Sequence, residues 1–262
     1  MTRGRTKAIE PESQTLLSSP RILLGRVRSA YIGPGLQLEP HKMAVATVVV
    51  GLEKPFHLAF FGKRSALSKA DRLGLIPPDT LHHLKSQGAM LFLYLDPIGE
   101  EYRSIDPFAL VEKAEQKADS LREYIIASPD ISSANMFLSQ LNEKLGIEAA
   151  HGMDMRIART LQAIEAAPAD FDTIEHAASI AGLSVSRFQH VFRDSVGTTF
   201  RRYRIWQRMR VVAKTLVRGE NLTTAAYDAG FSSSAHLSTA FKAMFGLSPS
   251  DLLKGMPQIL ID

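Results

Sequence analysis

The stretch Ala177-Ala178-Ser179-Ile180-Ala181-Gly182-Leu183-Ser184-Val185-Ser186-Arg187-Phe188 decides how this chain is read. Its pattern returns 48 residues later, where Ala225, Ala226, Ala229, Gly230, Ser232 and Ser234 match Ala177, Ala178, Ala181, Gly182, Ser184 and Ser186. After one inserted residue the correspondence continues at a spacing of 49, pairing Phe188 with Leu237, Phe192 with Phe241, Arg193 with Lys242 and Gly197 with Gly246. An internal repeat constrains the architecture before any single element is placed. In the first copy Ile174, Ala177, Ala178 and Ala181 form the inward side of a short helix. Their small side chains let a second helix cross closely, and Gly182 supplies the tight turn between the two. Ser184 is placed to cap the next helix, with Phe188, Val191 and Phe192 as its buried stripe. The inward set of the second copy is Ala225, Ala226, Ala229, Leu237, Phe241 and Phe245.

What remains outside carries hydrogen-bonding and cationic groups. The first copy shows Ser186, Arg187, Gln189, His190 and Arg193; the second shows Ser233, Ser234, Ala235, His236, Ser238, Thr239 and Lys242. Short helix, glycine turn and polar-faced second helix predict a helix-turn-helix, whose second helix reads base edges in a DNA major groove. A helix predicted from Phe200 to Val217 joins the copies, with Tyr203, Trp206, Met209, Val212, Ala213 and Leu216 as its apolar side. Its 18 residues span roughly 27 Å, close to the roughly 34 Å between successive major-groove openings on one face of DNA. Charge agrees. The whole chain carries only +4, but the window Ser184 to Arg218 holds nine basic residues and one acidic residue, so it is +8 and the remainder −4. Such concentration is the footprint of a polyanion-binding surface, and it predicts that the first repeat and the connecting helix supply most of the phosphate affinity.

Taken with the closing Phe241-Lys242-Ala243-Met244-Phe245-Gly246-Leu247-Ser248-Pro249, the repeat resembles the DNA-binding domain of AraC-type bacterial transcription regulators over about 100 residues, 154–254. The resemblance implies base-reading positions at Ser186, Gln189 and His190 in the first repeat, and at Ser234, Ala235, His236, Ser238 and Thr239 in the second. Ser184, Arg187, Arg193, Arg201, Arg202, Ser232, Ser233 and Lys242 complete the expected DNA-binding set. One departure stands out. The second reading face often holds Arg or Gln in that family, whereas here it carries small hydroxyls and an alanine, with His236 the one large group near its start. The first helix is therefore expected to discriminate more, with Gln189 able to pair bidentately with adenine.

Before the repeat, residues 19–106 read as short strands: Arg21 to Val27, Ala44 to Val50, Phe56 to Phe61 and Ala89 to Leu95, separated by Gly33-Pro34-Gly35, Glu53-Lys54-Pro55 and Pro77-Pro78-Asp79. A small β-sandwich or barrel follows, and the run from Gly33 to His41, the strand Ala44 to Val50, and Leu75 to His83 followed by Gly88 to Asp96 resemble the small β-barrel of cupin-like sensor domains. Metal-binding cupins use an H-x-H pair, but here the motif reads His41-Lys42-Met43, leaving His41 and His82 as two ligands where a closed site needs four. No metal or other cofactor is expected. The preferred reading is a barrel without metal that either binds a small apolar or aromatic effector, with His41, Met43, Phe56, His57, Phe60, Phe61 and His82 as the candidate pocket residues, or only supports dimerisation. Residues 107–150 form a helical linker in which Val111, Ala114, Ala118, Leu121 and Ile125 make a narrow apolar seam, either a dimer helix or a stripe packed back on the barrel. The polar stretch Glu148 to Asp154 is the best domain boundary.

The fold class is thus α+β, and the predicted function is sequence-specific regulation of transcription, activation included. Double-stranded DNA, RNA polymerase, a small-molecule effector and a second copy are the expected partners. The longest mainly apolar run, Met43 to Leu52, is ten residues, against roughly 20 needed to cross a bilayer. The first twenty residues read as a frayed leader without a secretory core, and with no cysteine a cytoplasmic location fits best. Catalysis is not expected: His190, Asp194 and Ser195 lie on one short helix and cannot form a nucleophile relay. Two alternatives stay open, a cupin-type metalloenzyme with an appended DNA-binding domain, and a regulator that needs no ligand.

Overall fold

In a computed structural model the chain is described over residues 17–61, 69–148 and 152–262. The expected leader falls largely outside those residues, as does part of the expected boundary at Glu148 to Asp154. The β part comprises β1 (Arg21–Leu24), β2 (Arg28–Pro34), β3 (His41–Lys42), β4 (Ala46–Gly51), β5 (Phe56–Phe60), β6 (Lys69–Asp71), β7 (Leu73–Ile76), β8 (Leu81–Ser86) and β9 (Ala89–Leu95). A tenth strand, β10 (Gln258–Ile261), comes from the far end of the chain. Two sheets result, a six-stranded one in the order β10-β1-β2-β9-β4-β7 and a four-stranded one in the order β3-β8-β5-β6.

Both faces of the larger sheet are buried, which is why β4 and β9 are apolar almost without interruption. Tyr31, Val49, Met90 and Phe92 face the smaller sheet and meet Phe56 and Leu84. Their neighbours Ala30, Ile32, Val48, Val50, Leu91 and Leu93 point the other way, onto Leu121, Ile125, Leu138 and Leu141. Those residues belong to the linker, which forms α1 (Pro107–Val111), α2 (Ala114–Ile126) and α3 (Ala134–Leu145). The seam on α2 is therefore consumed within the chain: Ala118, Leu121 and Ile125 are fully buried against the sheet, and no apolar stripe is left on that face for a dimer. Arg72 of the sheet fastens α2 in place, reaching Glu115 at 2.8 Å and Asp119 at 3.0 Å while its Nε donates to the Gly51 carbonyl at 2.6 Å.

Seven further helices follow: α4 (Met155–Ala166), α5 (Ile174–Ala181), α6 (Val185–Val196), α7 (Phe200–Val217), α8 (Leu222–Asp228), α9 (Ser234–Phe245) and α10 (Pro249–Lys254). Helix α7 is buried along most of its length because it serves two cores. Tyr203, Trp206, Met209 and Val212 join the repeat helices, while the same helix lies against the β part. After α10 the chain returns, and β10 pairs in parallel with β1, Ile22 opposite Ile259 and Leu24 opposite Ile261. Asp262 then caps α3, accepting from the Ala134 amide at 3.0 Å and from the Ser133 hydroxyl at 2.8 Å.

Candidate DNA-binding face and interdomain cavity

Each repeat is built by the same local chemistry. Helix α5 is capped by Thr173 and ends at Gly182, whose φ of 63° lies in the left-handed region that glycine tolerates without cost. The Ser184 hydroxyl then accepts from the Arg187 amide to start α6, and Phe188, Phe192 and Val196 bury its inner side. In the second repeat Asn221 caps α8, Gly230 takes φ of 77°, and Ser233 caps α9 by accepting from the His236 amide. The inserted residue is thus absorbed in the turn: the counterpart of Ser184 is Ser233, and Ser232 instead meets the His236 ring at 3.1 Å.

The outer face of α6 carries Ser186, Arg187, Gln189, His190 and Arg193, all exposed. His190 Nε2 lies 3.1 Å from Asp194 across one helical turn. On α9, Ala235, His236, Thr239 and Lys242 are exposed, while Ser234 and Ser238 are half-buried. The Thr239 hydroxyl donates back to the Ala235 carbonyl at 3.0 Å, leaving its oxygen to accept. Lys242 is engaged by the β part, with its Nζ 2.9 Å from Glu39.

The basic window divides in a way that charge counting missed. Arg187, Arg193, Arg201 and Lys214 are exposed. The other five are fasteners. Arg208 donates to the Gly230 carbonyl at 2.7 Å and pairs with Asp172 at 2.5 Å, tying the turn of the second repeat to the segment that opens the first. Arg204 donates to the Phe171 carbonyl at 2.7 Å, and Arg218 pairs with Asp228 at 3.1 Å. Arg210 is buried and donates to Gly25 and Arg26 carbonyls at 2.7 and 2.9 Å, across the domain interface. Arg202, expected on DNA, is instead turned to the β part, 3.3 Å from Asp79 and bonded to the Lys42 carbonyl; burial lowers its pKa. The connecting helix therefore offers a polyanion far less charge than its composition suggests. Its inner groups hold the two domains together, as does buried Asp96, which accepts from Tyr203 Oη at 3.0 Å, Trp206 Nε1 at 2.9 Å and Gln207 Nε2 at 2.7 Å.

Between the two domains lies a cavity of about 120 Å³. The β part contributes Tyr31, Thr47, Phe92 and Tyr94, and the helical part Trp206, Met209, Phe241, Phe245 and Leu252. Among the residues expected to bind an effector, His41, Met43 and His82 line it. Phe56, His57, Phe60 and Phe61 do not: Phe56 is fully buried between the sheets, and Phe61 is 49% exposed at the end of the small sheet. Phe56 and Phe60 instead join the core cluster between the two sheets. His41 and His82 face each other in the β3–β8 register, ring centroids 4.2 Å apart. Burial lowers both pKa values, that of His82 to about 4, so both rings are neutral at pH 7. Each Nδ1 meets a backbone carbonyl, Glu39 at 2.8 Å and Thr80 at 2.9 Å, which fixes the proton on Nδ1 and leaves Nε2 as a hydrogen-bond acceptor. Among the described residues no three His, Cys, Asp or Glu side chains gather as a metal site would require.

The chain thus carries two helix-turn-helix units that share one long helix, set beside a two-sheet domain. The helix-turn-helix domain family matches residues 177–255, and that region is an AraC-type helix-turn-helix domain. The chain is 27% identical over 149 residues to the transcriptional activator RhaS of Enterobacter sp. (strain 638), covering 56% of this chain and 52% of RhaS. It is 32% identical over 94 residues to the regulator RipA of Corynebacterium glutamicum, covering 36% of this chain and 28% of RipA. The matches thus span about half of RhaS and less of RipA. The apo form of a ToxT variant from Vibrio cholerae strain SCE256 shares the fold, with a TM-score of 0.59 at 14% identity over 87% of this chain and 97% of ToxT. Wild-type ToxT of the same strain with an unsaturated fatty acid bound superimposes with a TM-score of 0.52 at 12% identity, over 87% of this chain and 95% of that one. No described helix is long and apolar enough to cross a membrane.

Proposed function

We propose that the chain is a sequence-specific DNA-binding transcription regulator, not an enzyme, in which residues 154–254 read two adjacent major grooves and residues 19–106 sense an effector. The observation that carries the reading is the pair of exposed, serine-capped helices α6 and α9 joined by the 18-residue helix α7. RNA polymerase is the protein partner an activator needs, and a second copy would have to meet the chain away from the consumed α2 seam. Selection from random duplexes, followed by titration of the enriched site, tests the proposal. The site should be bound at least about 10³-fold more tightly than unrelated DNA, with affinity falling steeply as salt rises. Equal affinity for every duplex would sink it.

The effector reading rests on the cavity. RhaS and RipA are named as regulators, and ToxT has been solved with a fatty acid. A space of about 120 Å³ suits a benzene-sized group better than a long acyl chain, since cavities near 150 Å³ hold one aromatic ring. The neutral His41 and His82 accept hydrogen bonds, so a small aromatic bearing a hydroxyl fits the wall. Because Phe241 and Phe245 of α9 and Leu252 of α10 form the opposite side, filling the cavity biases the second repeat. Phenols at 100 times their dissociation constant should stabilise the fold by roughly 2.7 kcal/mol, and His82→Ala should abolish the effect.

A further inference from the structure

We propose that Arg103 of the β part, with Arg156 of α4, binds a DNA phosphate strand alongside the first reading helix, so that the N-terminal domain is itself part of the DNA footprint. The inference rests on the DNA-reading assignment of α6. An α-helix with its side chains is about 10–12 Å across and the major groove about 12 Å wide, so a helix seated there fills it. The two strands bordering the groove must then run along the helix flanks. Helix α6 has a recess on each flank. One is lined by Gln189, Arg193, Thr199, Arg201 and Arg204, all from the repeat and its connector. The other is lined by Arg187, His190 and Asp194 of α6 together with Arg156, Asp154 and Arg103.

Arg103 reaches that flank because the β part abuts the end of α6. Gly197, which terminates α6 at φ of 79°, lies so close to Pro78 and Tyr102 that a Cβ added to it would meet Pro78 at 3.2 Å. Tyr102 precedes Arg103 in a short 3₁₀ turn, Glu101–Ser104, which fixes where the arginine emerges. The charges in the recess are unevenly committed. Asp154 is paired with Arg156 at 2.6 Å, an interaction that pulls the Asp154 carboxyl down to about 2, and Asp194 is turned to His190. Arg103 and Arg187 are exposed, and neither side chain makes an ion pair or hydrogen bond with the described residues. Two uncommitted guanidinium groups, with a third held rigid by its own carboxylate, flank the helix that reads bases. Guanidinium geometry suits phosphate oxygens, and such contacts position a protein without reading sequence.

The test uses the full chain and its selected duplex, with affinity followed from 50 to 200 mM salt. Each lost phosphate contact reduces the log–log salt slope by about 0.9, which over that fourfold range is a difference of about 3.5-fold in affinity loss. Arg103→Ala and Arg156→Ala should each flatten the slope by that amount and weaken the selected and mismatched duplexes equally. Arg103→Lys should retain most of the slope, and the thermal midpoint of Arg103→Ala should match the parent because the side chain holds nothing. An unchanged slope in Arg103→Ala, with sequence-specific binding intact, overturns this proposal alone; loss of preference for any duplex in the parent overturns the reading on which it rests. Inorganic phosphate supplies the remaining arm. If, at constant ionic strength, it raises the midpoint of the parent but not of Arg103→Ala while the DNA slopes coincide, the recess holds a free anion and the DNA contact is refuted.

Discussion

The two repeats share their chemistry and differ in what surrounds them. In each, a glycine in the left-handed region turns the chain, a serine caps the reading helix, and a second glycine closes it. Yet α6 buries Phe188 and Phe192 completely within its own unit, whereas the matching side of α9 leans on the cavity through Phe241 and Phe245 and on Glu39 through Lys242. The first copy packs its reading helix mainly within its own unit and meets the β part at its closing glycine, whereas the second is held by the β part along its reading helix. Equivalent sequence positions therefore have unequal energetic weight, and substitutions at matched positions measure the inequality. Phe192→Ala removes a ring packed against Phe188, Phe200 and Tyr203 and should cost about 3–5 kcal/mol in denaturant unfolding. Its counterpart Phe241→Ala borders existing empty space and should cost about 1–2 kcal/mol. Equal losses would erase the distinction.

Acid separates the repeats next. The glycine that ends α6 rests on Pro78 and Tyr102, while the one that ends α9 sits against His41, whose Nδ1 would lie 2.6 Å from an added Cβ. His82, adjacent to His41, has its pKa lowered from 6.5 to about 4 by burial, with the neighbouring His41 and His83 adding to the effect. The unfolded chain then binds more protons than the native one between those values, so stability falls as pH drops through that window and is complete above it. The loss attributable to His82 is about 3 kcal/mol at 1.36 kcal/mol per unit. Hydrogen-exchange protection at pH 5 should fall in α9 before α6, and His82→Gln should remove the share of the pH dependence due to His82 while that of His41 remains; synchronous loosening would show that the end of α9 is not coupled to the pair.

Base reading should follow the same inequality on a smaller scale. Gln189→Ala is expected to reduce discrimination between the preferred site and a single mismatch by about 1–3 kcal/mol, a bidentate contact to adenine being worth that much. His236→Ala should change it less, since the His236 ring is already engaged by Ser232 and by the edge of Phe231. Competition titrations with single-mismatch duplexes read both values, and a larger effect at His236 would invert the ranking.

Much of this was legible from the chain alone. The repeat, its turns and the α6 cap are encoded within a few residues of one another, and local chemistry of that kind does not depend on what packs nearby. The strands were visible as apolar runs, though their alternation could not say which side would face helices, because both sides do. What failed were inferences about distant partners. The strand Gln258–Ile261 has an apolar, β-branched composition, but nothing local reveals that it pairs with Arg21–Leu24 at the other end of the chain. The basic window misled for a related reason. Arg208 and Arg210 sit beside Met209 on a helix apolar around most of its circumference, with Ile205, Trp206, Val211, Val212 and Ala213 nearby, a pattern that marks a helix serving two cores and arginines used inside it. The effector candidates divided similarly, since His41 and His82 needed only their cross-strand register, while the β5 phenylalanines needed the side of the sandwich.

Lys242 isolates the last difference between the repeats. Its counterpart Arg193 is exposed beside the recess on α6, whereas Lys242 is paired with Glu39 at 2.9 Å on the surface of the β part. A lysine on a reading helix has two anionic claimants, the carboxylate and the DNA backbone, and the first must be given up for the second. Both side chains are about half exposed or more, so the pair is worth only about 0.2–1 kcal/mol. Glu39→Gln should therefore raise affinity for the selected duplex by less than about 5-fold at low salt, with the gain vanishing as salt screens the original pair. Lys242→Ala should weaken binding and also abolish the gain when combined with Glu39→Gln, because the freed cation is what the substitution contributes. The backbone contact between the Glu39 amide and the Gly246 carbonyl, at 2.8 Å, survives both substitutions, so neither should release α9 from the β part. An increase in affinity that persists without Lys242 would mean that Glu39 restrains the whole second repeat and not one side chain.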